Sequence, residues 1–392
     1  MLNKKKIIPY GHQWIDEKDI KEVVKVLKSD WITQGPNVEE FEKKIAEYCK
    51  VKYAVAVSSG TAALQAAYTV AGIGSGDEVI TTSLTFAATA NMIVQCGGKP
   101  VFADIQGDTL NIDSKEIEKK ITNKTKAVAP VDFAGQPCDY GEIKKIAKEN
   151  KLLIIEDAAH ALGAEYKGKK IGSFADMTIL SFHPVKAIST GEGGAILTNN
   201  KNFYEKLKLF RHHGIVKKPE KGGWYYEIES PGYNFRITDF QCALGISQLK
   251  KINKFIKKRR EIVKKYNEAF RDIKEIIIPT ERDYVKSAWH IYPIQLRLEK
   301  LKVDRKKIFE ELRKKGLGVQ VHYLPIHLQP FYRKKFGYKK GDFSIAERYY
   351  ERAITLPLFP RMTSKEVNRV IKTIKKIINF YKKNNLYHEK SR

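Results

Sequence analysis

Seven short apolar runs within residues 53–198 constrain the fold of this chain more than any other feature of its sequence. Each run is rich in Val, Ile or aromatic residues and is bounded by turn or cap residues, a pattern that predicts β-strands. Several runs are too continuously apolar to leave one face of a sheet in water. We therefore expect a mostly parallel sheet that is covered on both faces. The predicted strands span residues 53–59, 78–83, 100–105, 127–133, 152–157, 177–182 and 194–198.

Helical segments alternate with these strands. Residues 62–71 and 140–150 are positioned as crossover helices, which places the chain in the α/β class. No block of sequence returns at a fixed period, so solenoid and propeller folds are not expected. Because 392 residues exceed the size at which a single core usually stops growing, we predict a large domain over residues 1–250 and a small domain over residues 251–392.

The C-terminal part of the chain has a different pattern. After Leu249 the sequence consists of Lys-rich amphipathic segments, interrupted by apolar runs near residues 289–296 and 318–323. This pattern predicts a smaller α+β lobe. The amphipathic segment 365–382 is expected to close this lobe, and the polar tail 383–392 is expected to fray.

The chain carries a large positive charge, with 72 basic and 45 acidic residues giving a net charge of +27. Such a value raises the question of nucleic-acid binding. The lysines alternate with apolar residues at helical spacing, for example in residues 250–260 and 305–315, so we interpret them mostly as solvated helix faces. No nucleic-acid-binding motif is recognisable, and we predict no nucleic-acid partner. The positive charge could still steer a diphosphate-bearing substrate towards the protein.

The sequence also bears on location and on metal binding. Residues 1–9 lack the apolar stretch of a secretory signal, and no window is apolar enough to span a bilayer, so we predict a cytoplasmic protein without a membrane partner. Four cysteines are widely separated and form no CxxC pair, which favours free thiols over a disulfide framework or a zinc site. We predict no metal site. The cysteines are Cys49, Cys96, Cys138 and Cys242.

The first candidate functional segment follows the first predicted strand. Ser58, Ser59, Gly60 and Thr61 form a small, hydroxyl-rich turn before a helix. Such a turn exposes backbone N–H groups at the positive end of a helix and is suited to binding phosphate. An ordinary helix N-cap explains the same residues equally well.

The second candidate is an acidic pair, Glu156 and Asp157, that ends an almost wholly apolar strand. Open α/β sheets bind ligands at the carboxyl ends of their strands. A carboxylate at Asp157 could therefore keep a pyridine nitrogen protonated and make the ring an electron sink. Considered alone, Asp157 could equally cap the segment that follows.

The third candidate is Lys186, in a tight segment between two buried strands, followed by the glycine-rich residues 190–194. Desolvation and nearby positive charge would lower the pKa of this lysine and make it a nucleophilic amine. Together, a phosphate-binding turn, a strand-end carboxylate and a lysine about thirty residues later form a pyridoxal-phosphate constellation, in which each part meets one need of the cofactor.

These segments resemble the DegT/DnrJ/EryC1/StrS family of sugar aminotransferases. That resemblance implies the aspartate-aminotransferase-like fold type I of the pyridoxal-phosphate-dependent transferases, with a large domain built on a mostly parallel seven-stranded sheet. The match extends from about Pro9 to Pro357. It rests on residues 31–36, 58–64, 76–80, 156–160, 181–194, 232–236 and 320–323.

The resemblance also implies roles for individual residues. Lys186 would be the catalytic lysine that holds pyridoxal 5′-phosphate covalently as a Schiff base and moves protons, and Asp157 would pair with the ring nitrogen. The other cofactor contacts would be Thr61, Ala62 and Ser181 at the phosphate, Phe86 stacked on the ring, His160 beside the ring hydroxyl, and Asn234 from a neighbouring subunit. A homodimer would therefore complete each active site. His322 and Tyr323 would bind the substrate.

The likeness is greatest to family members acting at C4 of UDP-linked 4-keto-6-deoxy-N-acetylhexosamines in pseudaminic acid biosynthesis. It implies transfer of an amino group from glutamate, giving UDP-4-amino-4,6-dideoxy-N-acetyl-β-L-altrosamine. Another nucleotide-linked 4-keto sugar could be the acceptor instead. The sequence also leaves open a pyridoxal-phosphate-dependent sugar dehydratase, a non-catalytic regulator and an α/β protein without a cofactor. Relatives that dehydrate can have His in place of Lys186.

Overall fold

A computed structural model describes residues 7–383. Most of the tail that we expect to fray, residues 384–392, lies outside the described residues, as do residues 1–6. The strands are β1 (Tyr53–Val57), β2 (Glu78–Thr82), β3 (Lys99–Ala103), β4 (Thr125–Ala129), β5 (Leu153–Asp157), β6 (Glu165–Tyr166), β7 (Lys169–Lys170), β8 (Met177–Ser181), β9 (Gly194–Thr198), β10 (Ile215–Lys217), β11 (Tyr226–Ile228), β12 (Ile276–Ile277), β13 (Val285–Lys286), β14 (Tyr292–Leu296) and β15 (Ala353–Leu356).

The seven predicted strands form one seven-stranded sheet, in the order β1-β9-β8-β5-β4-β2-β3. Five strands, from β8 to β3, are parallel, as expected. Strand β9 runs antiparallel to both of its neighbours, so Gly194 lies opposite Val57 in β1 and opposite Ser181 in β8. A Cβ atom on Gly194 would lie 2.5 Å from the carbonyl oxygen of Ser59. The missing side chain therefore lets the turns after β1 and before β9 approach closely.

Helices cover both faces of this sheet, and helices also make up most of the C-terminal lobe. They are α1 (Glu17–Leu27), α2 (Pro36–Cys49), α3 (Gly60–Val70), α4 (Ala87–Gln95), α5 (Ser114–Glu118), α6 (Tyr140–Glu149), α7 (Lys201–Arg211), α8 (Asp239–Leu249), α9 (Ile252–Phe270), α10 (Arg305–Lys314), α11 (Pro330–Phe336), α12 (Ser344–Arg352) and α13 (Ser364–Tyr381). The predicted helices over 62–71, 140–150 and 365–382 correspond to α3, α6 and α13. Side-chain caps explain several starts: Ser59 caps α3, and Thr363 with Glu366 forms a capping box at α13.

Apolar side chains from the strands pack against helices on both sheet faces. One cluster contains Ile80, Val128 and Leu180, and the cluster on the other face contains Val79 and Ile155. Because neighbouring strand residues point to opposite faces, burial on both sides requires continuously apolar runs. The helices on both faces of the sheet thus explain the apolar character of these runs.

The C-terminal lobe contains the antiparallel sheet β12-β14-β15, in which Ile294 pairs with Ile354. The apolar run near residues 289–296 supplies β14. The run near 318–323 forms no strand and is joined to the sheet by a single bridge between Gln320 and Thr355. Segments from the two lobes also pair with each other: Ile8 bridges Leu317, and β13 pairs with β6. The division at residue 250 stays a prediction.

Two further properties follow from the described residues. None of the helices within residues 7–383 is long and apolar enough to cross a membrane. Within the same range, no group of His, Cys, Asp or Glu is arranged to hold a metal ion. The cysteines are free, and all but Cys96 are buried.

Candidate active site

The carboxyl ends of the central strands and the start of α3 surround a cavity of about 450 Å³. Residues of the C-terminal lobe close it from the other side. The cavity brings together eight of the ten predicted site residues, namely Thr61, Phe86, Asp157, His160, Ser181, Lys186, His322 and Tyr323. Ala62 and Asn234 are not among its lining residues.

Lys186 lies on the turn between β8 and β9. Its backbone N–H donates a hydrogen bond to the carbonyl oxygen of His183 (2.9 Å), and its side chain lines the cavity. Burial lowers the pKa of Lys186 to about 8, since the ammonium form loses water, while the nearby Asp157 carboxylate opposes this effect. The predicted desolvation of this lysine is confirmed, but the predicted nearby positive charge is not, because the charged group that acts on Lys186 is the carboxylate of Asp157. An appreciable fraction of the amine is therefore uncharged near neutral pH.

Asp157 ends β5 and is nearly buried. Its Oδ2 accepts a hydrogen bond from Oγ1 of Thr89 (2.6 Å), and its Oδ1 accepts one from the backbone N–H of Ala159 (3.1 Å). Burial raises the pKa of Asp157, whereas these two hydrogen bonds and Lys186 act to lower it. The carboxyl group is held in a defined orientation inside the cavity, where a cationic N–H group could satisfy it.

The N-terminus of α3 also lines the cavity. Ser59 is the N-cap, and its Oγ accepts a hydrogen bond from the backbone N–H of Ala62 (3.1 Å). Gly60 lies against Ser181, because a Cβ atom on Gly60 would be 3.0 Å from the Cβ of Ser181. Thr61 is exposed to the cavity. The positive helix end and the hydroxyl groups of Thr61 and Ser181 thus form a place for an anion.

Three histidines of the cavity are held neutral. Burial is the largest cause for each: it lowers the pKa of His322 to about 4 and moves the pKa of His160 and of His290 well below the usual value. The His160 and His290 rings lie 4.2 Å apart, and the Nδ1 atoms of both have no hydrogen-bond partner among residues 7–383. Nε2 of His160 lies 3.3 Å from the hydroxyl oxygen of Tyr323.

Sequence reasoning missed His290. It lines the cavity from the C-terminal lobe, at the beginning of the apolar run that leads into β14. Its backbone N–H donates to the carbonyl oxygen of Ala134 (2.9 Å), which fixes it to the large lobe. A polar residue in an otherwise apolar run was the available signal.

Aromatic rings complete the cavity wall. Phe86 precedes α4 and is 59% exposed. Its ring centroid lies 6.0 Å from that of Tyr323. The open face of Phe86 can accept a planar ring by stacking.

A buried carboxyl pair, Asp132 and Glu156, lies behind Asp157. Oδ1 of Asp132 accepts hydrogen bonds from the Tyr140 hydroxyl and the Cys138 backbone N–H, each at 2.8 Å. Oδ2 of Asp132 and Oε1 of Glu156 have no donor partner in the described part of the chain. Burial raises the pKa of both carboxyl groups, and their mutual repulsion raises the pKa of Asp132 further. Since two adjacent carboxylates resist joint ionisation, the pair retains a proton above the usual carboxyl range.

Asn234 lies outside the cavity of its own chain. It is exposed and forms an antiparallel bridge with His212, next to the hairpin of β10 and β11. This hairpin region also exposes large aromatic side chains, including Trp224 (84% exposed) and Tyr226. Exposed apolar groups of this size commonly mark an interaction surface.

The residues of the cavity fit pyridoxal 5′-phosphate. An amine of lowered pKa faces a buried carboxyl group, a helix N-terminus with hydroxyl groups can receive a phosphate, and Phe86 offers an open ring face. The unpartnered Nδ1 atom of His160 provides a further polar contact.

Comparison with known proteins identifies a family that this chain matches over most of its length. Residues 13–375 match the model of the DegT/DnrJ/EryC1/StrS aminotransferase family. A relative from Campylobacter jejuni, UDP-4-amino-4,6-dideoxy-N-acetyl-beta-L-altrosamine transaminase, is 42% identical over 96% of this chain and 99% of its own.

Two solved structures are also similar. The aminotransferase PseC of Helicobacter pylori, involved in the biosynthesis of pseudoaminic acid, aligns with a TM-score of 0.91 and 37% identity, over 96% of this chain and 100% of that chain. A putative sugar aminotransferase of Streptococcus pneumoniae, Spr1654, solved in its PLP-form, aligns with a TM-score of 0.90 and 33% identity, over 95% and 99% of the two chains.

Proposed function

This chain belongs to the DegT/DnrJ/EryC1/StrS aminotransferase family, and from that membership we propose that it transfers an amino group to C4 of a UDP-linked 4-keto-6-deoxy-N-acetylhexosamine. The chemistry rests on one observation above all: Lys186, with a pKa of about 8, lies in one cavity with the oriented carboxyl group of Asp157. The sugar follows from the name of the Campylobacter jejuni relative, which makes UDP-4-amino-4,6-dideoxy-N-acetyl-β-L-altrosamine the proposed product.

Enzymes of this family use pyridoxal 5′-phosphate, and we assign its contacts to residues of the cavity. Lys186 would hold the cofactor covalently, and Asp157 would pair with the ring nitrogen. Phe86 would cover one ring face, and His160 would lie beside the ring hydroxyl. The phosphate would bind at the start of α3, where Thr61, Ala62 and Ser181 are the proposed contacts; the Ala62 N–H would have to be shared with Ser59.

The bound cofactor supplies an electron sink for the carbon that loses or gains a proton. Asp157 contributes a negative charge that keeps the ring nitrogen protonated, and Thr89 orients that carboxylate. Lys186 takes up and returns the proton at Nζ, and a pKa of about 8 lets this atom serve in both directions near neutral pH. His322 and Tyr323 line the cavity; they would close it on the side of the sugar, where burial would exclude water from the reacting carbon.

We propose glutamate as the amino donor and a homodimer as the active assembly. Support for the dimer comes from Asn234, which lies outside its own cavity, and from the exposed aromatic residues beside it. In a two-fold dimer this region could reach the cavity of the second copy.

The visible absorbance of the purified protein tests the activity. We expect a yellow protein after addition of pyridoxal phosphate, loss of the colour with glutamate, and its return with UDP-4-keto-6-deoxy-N-acetylglucosamine or its C5 epimer. Lys186→Ala should abolish turnover, whereas Lys372→Ala, at an exposed lysine of α13, should not alter it. A protein that stays colourless would contradict the proposal.

The same assay separates this activity from related ones. Bleaching by glutamate without recovery by either sugar would retain the aminotransferase and point to another nucleotide-linked 4-keto sugar. Release of water from the sugar without consumption of glutamate would instead identify a dehydratase.

Mixing two variants, each of which lacks one residue of the proposed shared site, tests the homodimer, once Asn234→Ala alone is shown to be inactive. Lys186→Ala and Asn234→Ala chains, unfolded together and refolded at equal ratio, give about half mixed dimers, each with one complete site. We expect activity to return to about one quarter of the wild-type value, because half of the dimers have one of two sites intact. No recovery from correctly assembled mixed dimers would exclude a site shared in this way.

A further inference from the structure

A buried arginine lies behind the cavity wall that carries Lys186. Arg259 of α9 is 1% exposed, although its surroundings in the sequence predict a solvated Lys-rich face. No described carboxylate pairs with it, and its Nε has no hydrogen-bond partner. Burial lowers the pKa of Arg259 to about 10, so the side chain stays charged at neutral pH. A buried charge without a counter-ion is destabilising by itself and calls for another explanation.

Within the described residues, all hydrogen bonds that Arg259 donates end on backbone carbonyl oxygens. Nη1 donates to His290 and Leu358 at 2.9 Å each, and to Trp289 at 3.3 Å. Nη2 donates to Val185 at 3.5 Å. The guanidinium group therefore joins three segments that are far apart in the sequence.

Each of these segments contributes to the cavity. Val185 lines it and is the residue immediately before Lys186, and His290 lines it from the C-terminal lobe. The backbone N–H of Leu358 donates to the carbonyl oxygen of Tyr10 (2.9 Å), which also lines the cavity. One side chain thus connects the turn that bears Lys186 to two other segments at the cavity.

The segment next to His290 has an unfavourable backbone conformation. Trp289 is buried with a φ of +48°, in the left-handed region that bulky residues rarely adopt. Its N–H donates to Oγ of Ser287 (3.1 Å), and its carbonyl oxygen accepts from Arg259. Such conformations persist where the surroundings hold them, commonly at functional sites.

We propose that Arg259 is a positioning residue for amino transfer: its guanidinium group ties the Lys186 turn to the carbonyl oxygens of His290 and Leu358 and so fixes Nζ of Lys186 within the cavity. The part of this inference that concerns catalysis rests on the function proposed above. A planar group with five donors can hold carbonyls on several sides, whereas the single ammonium of a lysine cannot reach all of them.

The next residue of the same helix provides a matched control. Arg260 donates to the carboxylate of Glu281 (2.5 and 3.2 Å) and to the carbonyl oxygen of Ser287 (3.1 Å). It therefore holds the segment that leads to His290, but it has no hydrogen bond to the Lys186 turn. Replacing Arg260 perturbs the same helix and the same loop without releasing Val185.

The experiment compares Arg259→Lys and Arg259→Met with Arg260→Lys and Arg260→Met in the holoenzyme. We expect both Arg259 variants to lower kcat tenfold or more, since small displacements of reacting groups reduce rates strongly, with KM for the keto-sugar within about twofold of wild type. Arg260 variants whose Tm is equal to or lower than that of the Arg259 variants should keep kcat within about twofold of wild type. Equal losses of kcat at both positions, or wild-type kcat in the Arg259 variants, would overturn the proposal.

Hydrogen–deuterium exchange gives a second readout that does not depend on turnover. In Arg259→Lys, amides of residues 183–191 should exchange about tenfold faster than in wild type, whereas Arg260→Lys should change only residues near Ser287. Unchanged protection of 183–191 would refute the positioning role even if the wild-type protein has no transaminase activity. If the wild-type protein transfers no amino group, the proposed function fails and the exchange data alone decide whether Arg259 holds the turn. Failure of both Arg259 variants to fold would assign this residue to stability and would also refute the proposal.

Discussion

The lowered pKa of Lys186 predicts how fast the cofactor-free protein takes up pyridoxal phosphate at each pH. Only the uncharged amine attacks the aldehyde, so the rate of uptake should follow the neutral fraction of Lys186. With a pKa of about 8, about 9% of the amine is neutral at pH 7 and about 91% at pH 9. The rate should therefore rise about tenfold over this range and level off above pH 8.

An ordinary lysine would behave differently. With a pKa of about 10.4, its neutral fraction rises from about 0.04% at pH 7 to about 4% at pH 9, an increase of about a hundredfold without levelling off. The two cases differ in both magnitude and shape.

Stopped-flow visible absorbance of the apoprotein mixed with pyridoxal phosphate measures this rate. The same reaction with N-α-acetyl-lysine, with each rate divided by the neutral fraction of that amine, gives the pH dependence that comes from the cofactor itself. Dividing the protein rates by this dependence leaves the titration of Lys186. In Asp157→Asn the inflection should move below pH 8, because the Asp157 carboxylate raises the pKa of Lys186. A hundredfold rise between pH 7 and 9 without an inflection would refute a desolvated Lys186.

Three other predictions concern the surroundings of the site. Thr89→Val removes the donor to Oδ2 of Asp157 and should move the acidic limb of the kcat–pH profile to higher pH, because that hydrogen bond lowers the pKa of the carboxyl group; an unmoved limb would argue against this role. The Tm of Asp132→Asn minus the Tm of wild type should increase as the pH rises from about 4 to 8. The reason is that the raised carboxyl pKa values stabilise the wild-type fold only while the pair retains its extra proton. A Tm difference that does not change with pH would contradict the proton shared by Asp132 and Glu156. Phe86→Ala should weaken cofactor binding by up to about tenfold, as expected for one stacking contact of about 0.5–1.5 kcal/mol. Equilibrium dialysis with pyridoxal phosphate measures this Kd, and an unchanged Kd would contradict the stacking contact.

Much of the large lobe could be predicted from local sequence. Continuously apolar runs predicted the seven strands because a sheet covered on both faces needs apolar residues at every position. Strand direction could not be obtained in the same way, since an apolar strand has the same pattern in either direction. The reversal of β9, which places Gly194 between Val57 and Ser181, is decided by how the chain returns across the sheet.

The candidate site shows the same division. Asp157 and Lys186 could be identified from the sequence because Asp157 ends one recognisable buried strand and Lys186 follows another, and the resemblance to known aminotransferases assigned their roles. Their grouping in one cavity follows from parallel strands that end at the same sheet edge. Ala62 and Asn234 were identified by the same resemblance, but they do not line the cavity of this chain.

Only the tertiary structure decided the environment of these residues. His290 enters the cavity from the other lobe, and Arg259 is buried within a helix whose sequence predicts a solvated face. Helical spacing describes burial along one element and contains no information about which distant carbonyl or carboxyl group will face a side chain. The pKa of Lys186, the proton retained by Asp132 and Glu156, and the contacts of Arg259 depend on such long-range neighbours, and so they follow from the fold rather than from the local sequence.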